Sequence, residues 1–348
     1  MNVKAAVLHQ PEDLRIEDTK QPQAGPGELL LEVKACGVCG TDRRVYLGTK
    51  SRGIHFPCVI GHEIAGVVVE CGTGQQAFQT GDRVAVVPVI PCGSCAYCIR
   101  GLDNICLNRT AIGYEFDGGF QEYMKVPTAA LQVGNVVKIP EQLSFDEAAL
   151  IEPFACCVNG NQRSNIPPGG TVVIAGAGPI GLMHLKLAKA VGAANIIVSE
   201  PSPQRRDWAD QMGADLIIDP QEDDLHQIVM DQTDGLGADS AILAIGVAPL
   251  VSQLARLLRK GGTLNLFAGF PEDAEANITC NLIHYGQINI TGSASASRQH
   301  FRQAIALIAS GKIVIDDLIT NRFPLNQIHD ALDMMARGQG LKGIMLPA

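Results

Sequence analysis

The sequence predicts an α/β protein: a doubly wound parallel sheet of the Rossmann type, preceded by a β-rich domain. Three observations carry this. The stretch Thr171 to Glu200 reads as strand, glycine turn, helix, strand and acid. From about residue 170 apolar runs alternate with helical patterns, which calls for a parallel sheet covered by helices. Before about residue 150 the chain instead shows short β-type runs punctuated by glycine and proline.

The glycine stretch is the most specific of these. Val172 to Ala175 is a short apolar run that reads as a buried strand. The turn Gly176-Ala-Gly178-Pro179-Ile180-Gly181 follows, and apolar residues then recur at Ile180, Met183, Leu187 and Val191, which is helical spacing. A second strand, Ile196 to Ser199, ends at Glu200. In this dinucleotide fingerprint Gly176 makes the tight turn, Gly178 lets backbone approach a pyrophosphate, and Gly181 lets helix and strand pack closely. The helix start offers free N–H groups and a positive dipole end to phosphate. Glu200 favours NAD over NADP, because a carboxylate accepts from a ribose 2′-hydroxyl and repels a 2′-phosphate. Arg205 and Arg206 weaken that preference, or they form a solvated helix start. Ile245, Gly246, Ala268 and Gly269, which follow two later strands, complete the candidate cofactor contacts.

At 348 residues the chain is long enough for two domains with a core each. Apolar residues at 46% and charged residues at 18% mark a globular chain rather than a disordered one. The longest uncharged apolar stretch, around Ala241 to Val251, is too short to span a bilayer, and the first residues lack a signal-peptide pattern. A soluble cytoplasmic protein without a membrane partner is expected. A net charge of −9 argues against a nucleic-acid partner.

In the first domain, strands are expected at Lys4 to Leu8, Leu29 to Ala35, Ile64 to Glu70, Arg83 to Pro88 and Gln121 to Val126, with turns at Gly25-Pro26-Gly27 and Thr80-Gly81-Asp82. In the second they are expected at 172–175, 195–199, 215–218, 240–245, 263–268 and 288–292. The tail carries helical patterns at Gln299 to Ser310 and Leu325 to Ala336, then a short apolar end, Gly343 to Leu346.

Four of the eleven cysteines form C-x2-C-x2-C-x7-C: Cys92, Cys95, Cys98 and Cys106. In a reducing compartment such a cluster binds metal more often than it forms disulfides. Four thiolates suit a closed, structural Zn²⁺ site, with an iron–sulfur cluster as the rival because C-x2-C-x2-C also opens the ferredoxin run. A second constellation is spread along the first domain: Cys36-Gly-Val-Cys39-Gly-Thr41-Asp42, then Gly61-His62-Glu63, then Glu152-Pro153. Singly these are weak, since CxxC also occurs as a redox pair and His–Glu as a packed pair. Together, one thiolate, one imidazole and one or two carboxylates are the donors of an open catalytic zinc site with a position left for substrate oxygen.

Over essentially its whole length the chain resembles the zinc-dependent medium-chain dehydrogenases, the alcohol and polyol dehydrogenase superfamily. CGVCGTD, GHE, the four-cysteine lobe, GDRVAV, GAGPIG and a terminal return segment appear in family order. The resemblance implies a GroES-like catalytic domain over residues 1–153, with the structural-zinc lobe at about 90–108. It implies a nucleotide domain over 154–292 and a return to the first domain over 293–348. It also implies Cys39 and His62 as catalytic-zinc ligands, with Glu63 inner-sphere or adjacent and Glu152 a further ligand, direct or through water. A glutamate at Glu152 resembles the polyol, threonine and sugar-phosphate branches. Cys156 and Cys157 are soft alternatives to Glu152, read here as core cysteines together with Cys36, Cys58, Cys71 and Cys280.

The resemblance further implies that substrate and nicotinamide meet between the domains, and that the chain forms a homodimer or homotetramer, pairing through Gln287 to Ala294. Hydride passes from a secondary hydroxyl of a polyol, sugar or sugar phosphate to NAD⁺, with a small hydroxylated molecule as partner. A simple alcohol or threonine is the alternative substrate. The substrate proton leaves through Thr41. Many relatives have a histidine three residues beyond that threonine, and this sequence has Arg44, which cannot serve as a base. Arg43 or Arg44 is a candidate for a substrate phosphate or carboxylate, against solvated or pyrophosphate-holding alternatives. A non-catalytic zinc-bearing nucleotide sensor would need the four-cysteine lobe but not Cys39, Thr41, His62, Glu63 and Glu152 together.

Overall fold

The computed structural model describes residues 1–347. Its chain forms two compact units, one made of Met1–Ala155 with the segment from Ala296 onward, the other of Cys156–Ser295.

In the first unit a mixed sheet runs in the order Val136–Lys138, Arg83–Val86, Glu63–Cys71, Leu29–Gly37, Lys342–Leu346 and Ile319–Pro324, with Tyr123–Val126 also paired to Leu29–Gly37. A smaller sheet joins Asp13–Lys20, Asn2–Gln10 and Cys58–Val59. The core lies against these sheets, and Leu29, Leu31, Ile64, Phe120 and Met124 are fully buried in it. Two pairings position the site. Leu29–Gly37 and Glu63–Cys71 are antiparallel with Gly37 opposite Glu63, so the chain leaving Gly37 toward Cys39 passes beside the Glu63 carboxylate. A Cβ at residue 37 would run into that carboxylate, so glycine is required there. Lys342–Leu346 pairs antiparallel on the other side, with Ile344 opposite Gly37, and so brings the end of the chain to the same corner.

The second unit is a six-stranded, wholly parallel sheet. Its order is Leu216–Ile218, Asn195–Ser199, Thr171–Ala175, Ala238–Leu243, Leu258–Leu266 and Asn289–Gly292. Counted in sequence this is 3-2-1-4-5-6, the doubly wound order. Val173, Ile197, Ala241, Leu243 and Leu264 pack at its centre, and such strands read as continuous apolar runs because both faces are covered. The helix Pro179–Ala190 starts at Gly178 with Pro179 in its first turn, a position where the missing N–H costs nothing. A Cβ at residue 181 would collide with the Gly176 carbonyl, which is the close packing the third glycine permits.

Expectation and structure differ at several elements. The strands Asp13–Lys20 and Ile319–Pro324 and the helix Gly40–Tyr46 were not expected. Each is short or mostly polar, so neither periodicity nor an apolar run marks it. The strand Leu258–Leu266 begins earlier than expected and the helix Ile328–Arg337 starts after a single 3-10 turn, Leu325–Gln327. Cys280, expected in the core, is exposed. Among the described residues no helix is long and apolar enough to cross a membrane.

His184, on the helix Pro179–Ala190, is fully buried, and neither ring nitrogen has a hydrogen-bond partner. Its ring meets Phe267 edge-on, centroids 4.6 Å apart. Burial drives its pKa from 6.5 down to about 3, so the folded protein holds it neutral while the unfolded chain takes up a proton below about 6.5. Its contribution is therefore neutral above pH 6.5 and becomes destabilising as pH falls toward 3, by about 1.4 kcal/mol per pH unit. We expect His184→Leu to flatten the fall of the thermal midpoint between pH 6.5 and 5. Parallel melting curves with equal pH slopes would show that the residue is not held neutral.

Candidate active site and cofactor site

The open donor set gathers in the first unit. One ligand atom each from Cys39, His62 and Glu63 lies within 4.8 Å of the others. Cys39 caps the helix Gly40–Tyr46: its sulfur accepts from the Thr41 N–H at 3.4 Å, and its own N–H donates to Asp42 Oδ2 at 2.8 Å. The other oxygen of Asp42 meets His62 Nδ1 at 3.0 Å. Asp42 is 2% exposed and His62 7%. With Nδ1 engaged by a carboxylate, Nε2 is the nitrogen left for a metal, the arrangement in which ligating histidines are commonly held. Burial opposes a charge on His62, and Asp42 outweighs it, so the ring's pKa stands well above its usual value.

Glu63 is fully buried, and both its oxygens accept from Lys342 Nζ, at 2.7 and 2.5 Å. Burial works against the Lys342 ammonium, but Glu63 more than compensates and raises its pKa. Lys342 Nζ also donates to the Val38 carbonyl at 2.9 Å, which ties the end of the chain to the Cys36–Cys39 turn. Glu152 is not part of the gathered group; it lies close enough to Tyr114 for its charge to act on the phenol. Cys36 is buried on its strand and Cys156 and Cys157 are likewise outside the group. Thr41 Oγ1 accepts from Arg44 Nη2 at 3.0 Å. Tyr114 stands over the site, its ring centroid 5.9 Å from that of His62. Burial pushes its phenol up to about 12, so it stays protonated.

Asp42, Tyr114 and Lys342 were not among the expected site residues. A signal existed for Asp42, which closes the CGVCGTD run three residues after Cys39, where a capping carboxylate belongs. No sequence signal marks Lys342, which is 279 residues from Glu63.

The second donor set is closed. Cys92, Cys95, Cys98 and Cys106 place their sulfurs within 4.8 Å of one another, with Cys95 at 3.5 Å from Cys98 and 3.9 Å from Cys106. Tetrahedral Zn–S bonds of about 2.3 Å separate sulfurs by about 3.8 Å, so the four thiols fit one zinc ion. Iron–sulfur cubes give each thiolate a separate iron and so need a wider set. Backbone N–H groups of Ser94 and Cys95 bring the Cys92 thiol down to about 6, and those of Cys98 and Leu107 lower Cys95. Thiolates are the form a metal takes. Asp103 of this lobe is held by Arg298 Nε at 2.8 Å.

In the second unit the glycine turn and the ends of the parallel strands border a cavity of about 680 Å³, lined by Gly176, Glu200, Asp224, Ile245 and Val247 among others. Glu200 is buried, with its oxygens accepting from the N–H groups of Ala177 at 2.7 Å and Ser202 at 3.0 Å. Arg206 is committed: it donates to the carbonyls of Glu200 and Pro201 and pairs with Asp219 at 2.8 Å. The Arg205 guanidinium lies 3.9 Å from where a side chain on Gly178 would begin. Beyond the strand ends, a Cβ on Gly246 would meet the Gly269 carbonyl, while the Ala268 N–H donates to Leu243. These residues stand at the carboxyl ends of the strands, where doubly wound sheets bind ligands.

Residues 25–141 match the alcohol dehydrogenase GroES-like domain, and residues 179–310 match the zinc-binding dehydrogenase domain. The sorbitol dehydrogenase of Bacillus subtilis is 33% identical over 99% of this chain and 98% of its own. The L-threonine 3-dehydrogenase of Pyrococcus furiosus is 35% identical over 93% and 92%, and the L-galactonate-5-dehydrogenase of Escherichia coli K12 is 33% identical over 99% and 98%. A Sinorhizobium meliloti structure solved with NADP superposes with a TM-score of 0.93 at 34% identity, each chain fully covered. An alcohol dehydrogenase from Escherichia coli CFT073 complexed with NADH gives 0.90 at 28% identity, with 99% of each chain covered. The chain belongs to the zinc-dependent medium-chain dehydrogenases and is an oxidoreductase of that family.

Removing Asp42 should loosen the metal before it loosens the fold. We expect Asp42→Ala to weaken retention of one of two zinc ions by about 10- to 100-fold in competition with a chromogenic chelator. Equal retention in variant and parent would show that the Asp42–His62 contact does not support metal binding.

Proposed function

We propose that this chain oxidises a secondary hydroxyl of a polyol, sugar or sugar derivative with NAD⁺, using a zinc ion held by Cys39 and His62. The gathering of Cys39, His62 and Glu63, with the Thr41 N–H donating to the Cys39 sulfur, carries this reading. When bound, zinc would supply Lewis-acid stabilisation of charge on the substrate oxygen, and nicotinamide would accept the hydride. Asp42 engages the His62 ring at Nδ1, so Nε2 is the nitrogen that would hold the ion. Glu63, already neutralised by Lys342, is assigned the adjacent place rather than the inner one. Glu152 is then the carboxylate left to complete the set, directly or through water. Thr41 accepts from Arg44, so its own O–H is free to pass on the substrate proton. Arg44 acts by donating to and polarising that hydroxyl.

Glu200 is assigned to the adenosine ribose, with the glycine turn and Arg205 on the pyrophosphate. The pairing of Arg206 with Asp219 supports NAD over NADP, since it removes the nearest cation that a 2′-phosphate would use. Names of relatives divide between sugar-type and threonine substrates, which keeps L-threonine as the second reading. Reduced-cofactor absorbance with zinc-loaded protein should rise on polyols or sugar derivatives with NAD⁺, and at least tenfold less with NADP⁺, as lost 2′-hydroxyl recognition implies. Turnover of threonine alone would replace the substrate assignment, and equal use of both cofactors would remove the role given to Glu200.

The reading extends to a cytoplasmic homo-oligomer. Asn289–Gly292 ends its sheet with an open edge among the described residues, and Ile283 and Tyr285 are exposed close before it. Edges of this kind pair readily with a second copy. Sedimentation at micromolar concentration should give a dimer or tetramer; a monomer would refute the pairing.

A further inference from the structure

We infer that Lys50, with Arg44 beside it, binds an anionic group of the substrate at the rim of the Cys39–His62 site. This deepens the dehydrogenase reading and rests on it. Lys50 Nζ donates to the Tyr114 hydroxyl at 3.0 Å and stands 4.6 Å from the centre of the same ring. That ring is the one packed near His62. Arg44, whose carbonyl accepts from the Lys50 backbone N–H at 3.1 Å, reaches the site through Thr41 Oγ1. Lys50 is thus joined by one side chain to a candidate metal ligand, and Arg44 by one side chain to the hydroxyl assigned to the substrate proton.

What sets Lys50 apart is the lack of a carboxylate paired to it. It is partly buried, and among the described residues no carboxylate pairs with it. Burial first, then the charges of Arg44 and Arg109, pull its pKa below the usual lysine value. The anions within reach are committed elsewhere: Asp42 to His62 and the Cys39 N–H, and Cys39 to the candidate metal. In a chain of net charge −9, a half-buried lysine that follows Arg44 closely and has no carboxylate paired to it is not a general surface property. Partly desolvated cations of this kind gain most from a carboxylate or phosphate, through charge-assisted hydrogen bonds that a neutral hydroxyl cannot match. The two cations offer two geometries: a guanidinium that can grip two oxygens and an ammonium acting as a point charge. The substrate class is therefore a polyhydroxy compound carrying a carboxylate or a phosphate monoester.

The test compares a neutral pentitol, a pentitol phosphate and an aldonate as substrates of zinc-loaded, full-length protein. Wild type should favour one or both anionic substrates, and which one identifies the group. Lys50→Met should lower the anionic-to-neutral ratio of kcat/KM by about tenfold or more, through KM. Lys50→Arg should keep most of the preference, and Lys312→Met, on an exposed lysine elsewhere, should not move it. An equal ratio in wild type and Lys50→Met overturns the inference while leaving the dehydrogenase reading intact. Should Lys50→Met fold poorly, inorganic phosphate should still compete with the neutral pentitol in wild type, and absence of competition overturns the inference as well. If no substrate is oxidised, the dehydrogenase reading falls. Calorimetric titration of pentitol phosphate into wild type and Lys50→Arg then decides the anion site alone: binding by both supports it, and binding by neither overturns it.

Discussion

The site depends on a buried carboxylate with no freedom left. Asp42 spends one oxygen on the Cys39 N–H and the other on the His62 ring. It therefore fixes two candidate ligands that lie 23 residues apart in the sequence. A carboxylate this deeply buried is costly unless its oxygens are paired, so the contact constrains in both directions. The His62 ring gives Asp42 a partner, and Asp42 holds that ring in one orientation. A three-residue helical offset from Cys39 puts the carboxylate where it closes the cap of its own helix. Local capping and metal-site geometry are thus one arrangement.

Glu63 repeats the logic over a much longer distance. It sits beside His62 in sequence, is fully buried, and would be intolerable as a lone anion. Lys342 neutralises it from the last strand, which reaches that corner only because it pairs with Leu29–Gly37. Deleting either partner would leave the other charge buried and unpaired, a loss of about 3–5 kcal/mol. The close approach also explains Gly37: a side chain there would occupy the space the Glu63 carboxylate uses.

What the sequence revealed follows from the same physics. The central parallel strands were legible because strands buried on both faces must be apolar, and Val172 to Ala175 or Ile196 to Ser199 can hardly read otherwise. Asp13–Lys20 escaped because it is mostly charged, and Gly40–Tyr46 because seven residues cannot display a helical period. Cys39, His62 and Glu63 were legible as donor types, and the four-cysteine lobe as a spacing. Lys342 and Lys50 were not, because a lysine gains meaning only from what it faces. Arg206 illustrates the reverse case. It looked available for a phosphate beside Glu200, and its pairing with Asp219, thirteen residues on, is a tertiary fact.

The return segment gives both donor sets a common dependence. Arg298, near its start, pairs with Asp103 of the four-cysteine lobe, and Lys342, near its end, pairs with Glu63. Each donor set brings acidic groups together: four thiols on one side, a thiol and the buried Glu63 carboxylate on the other. In each case one cation from the same distant segment lies against an acid at the base of the set. Because both cations come from the chain's last fifty or so residues, the return segment is tied by a charged contact to each of the two metal-binding corners of the first unit.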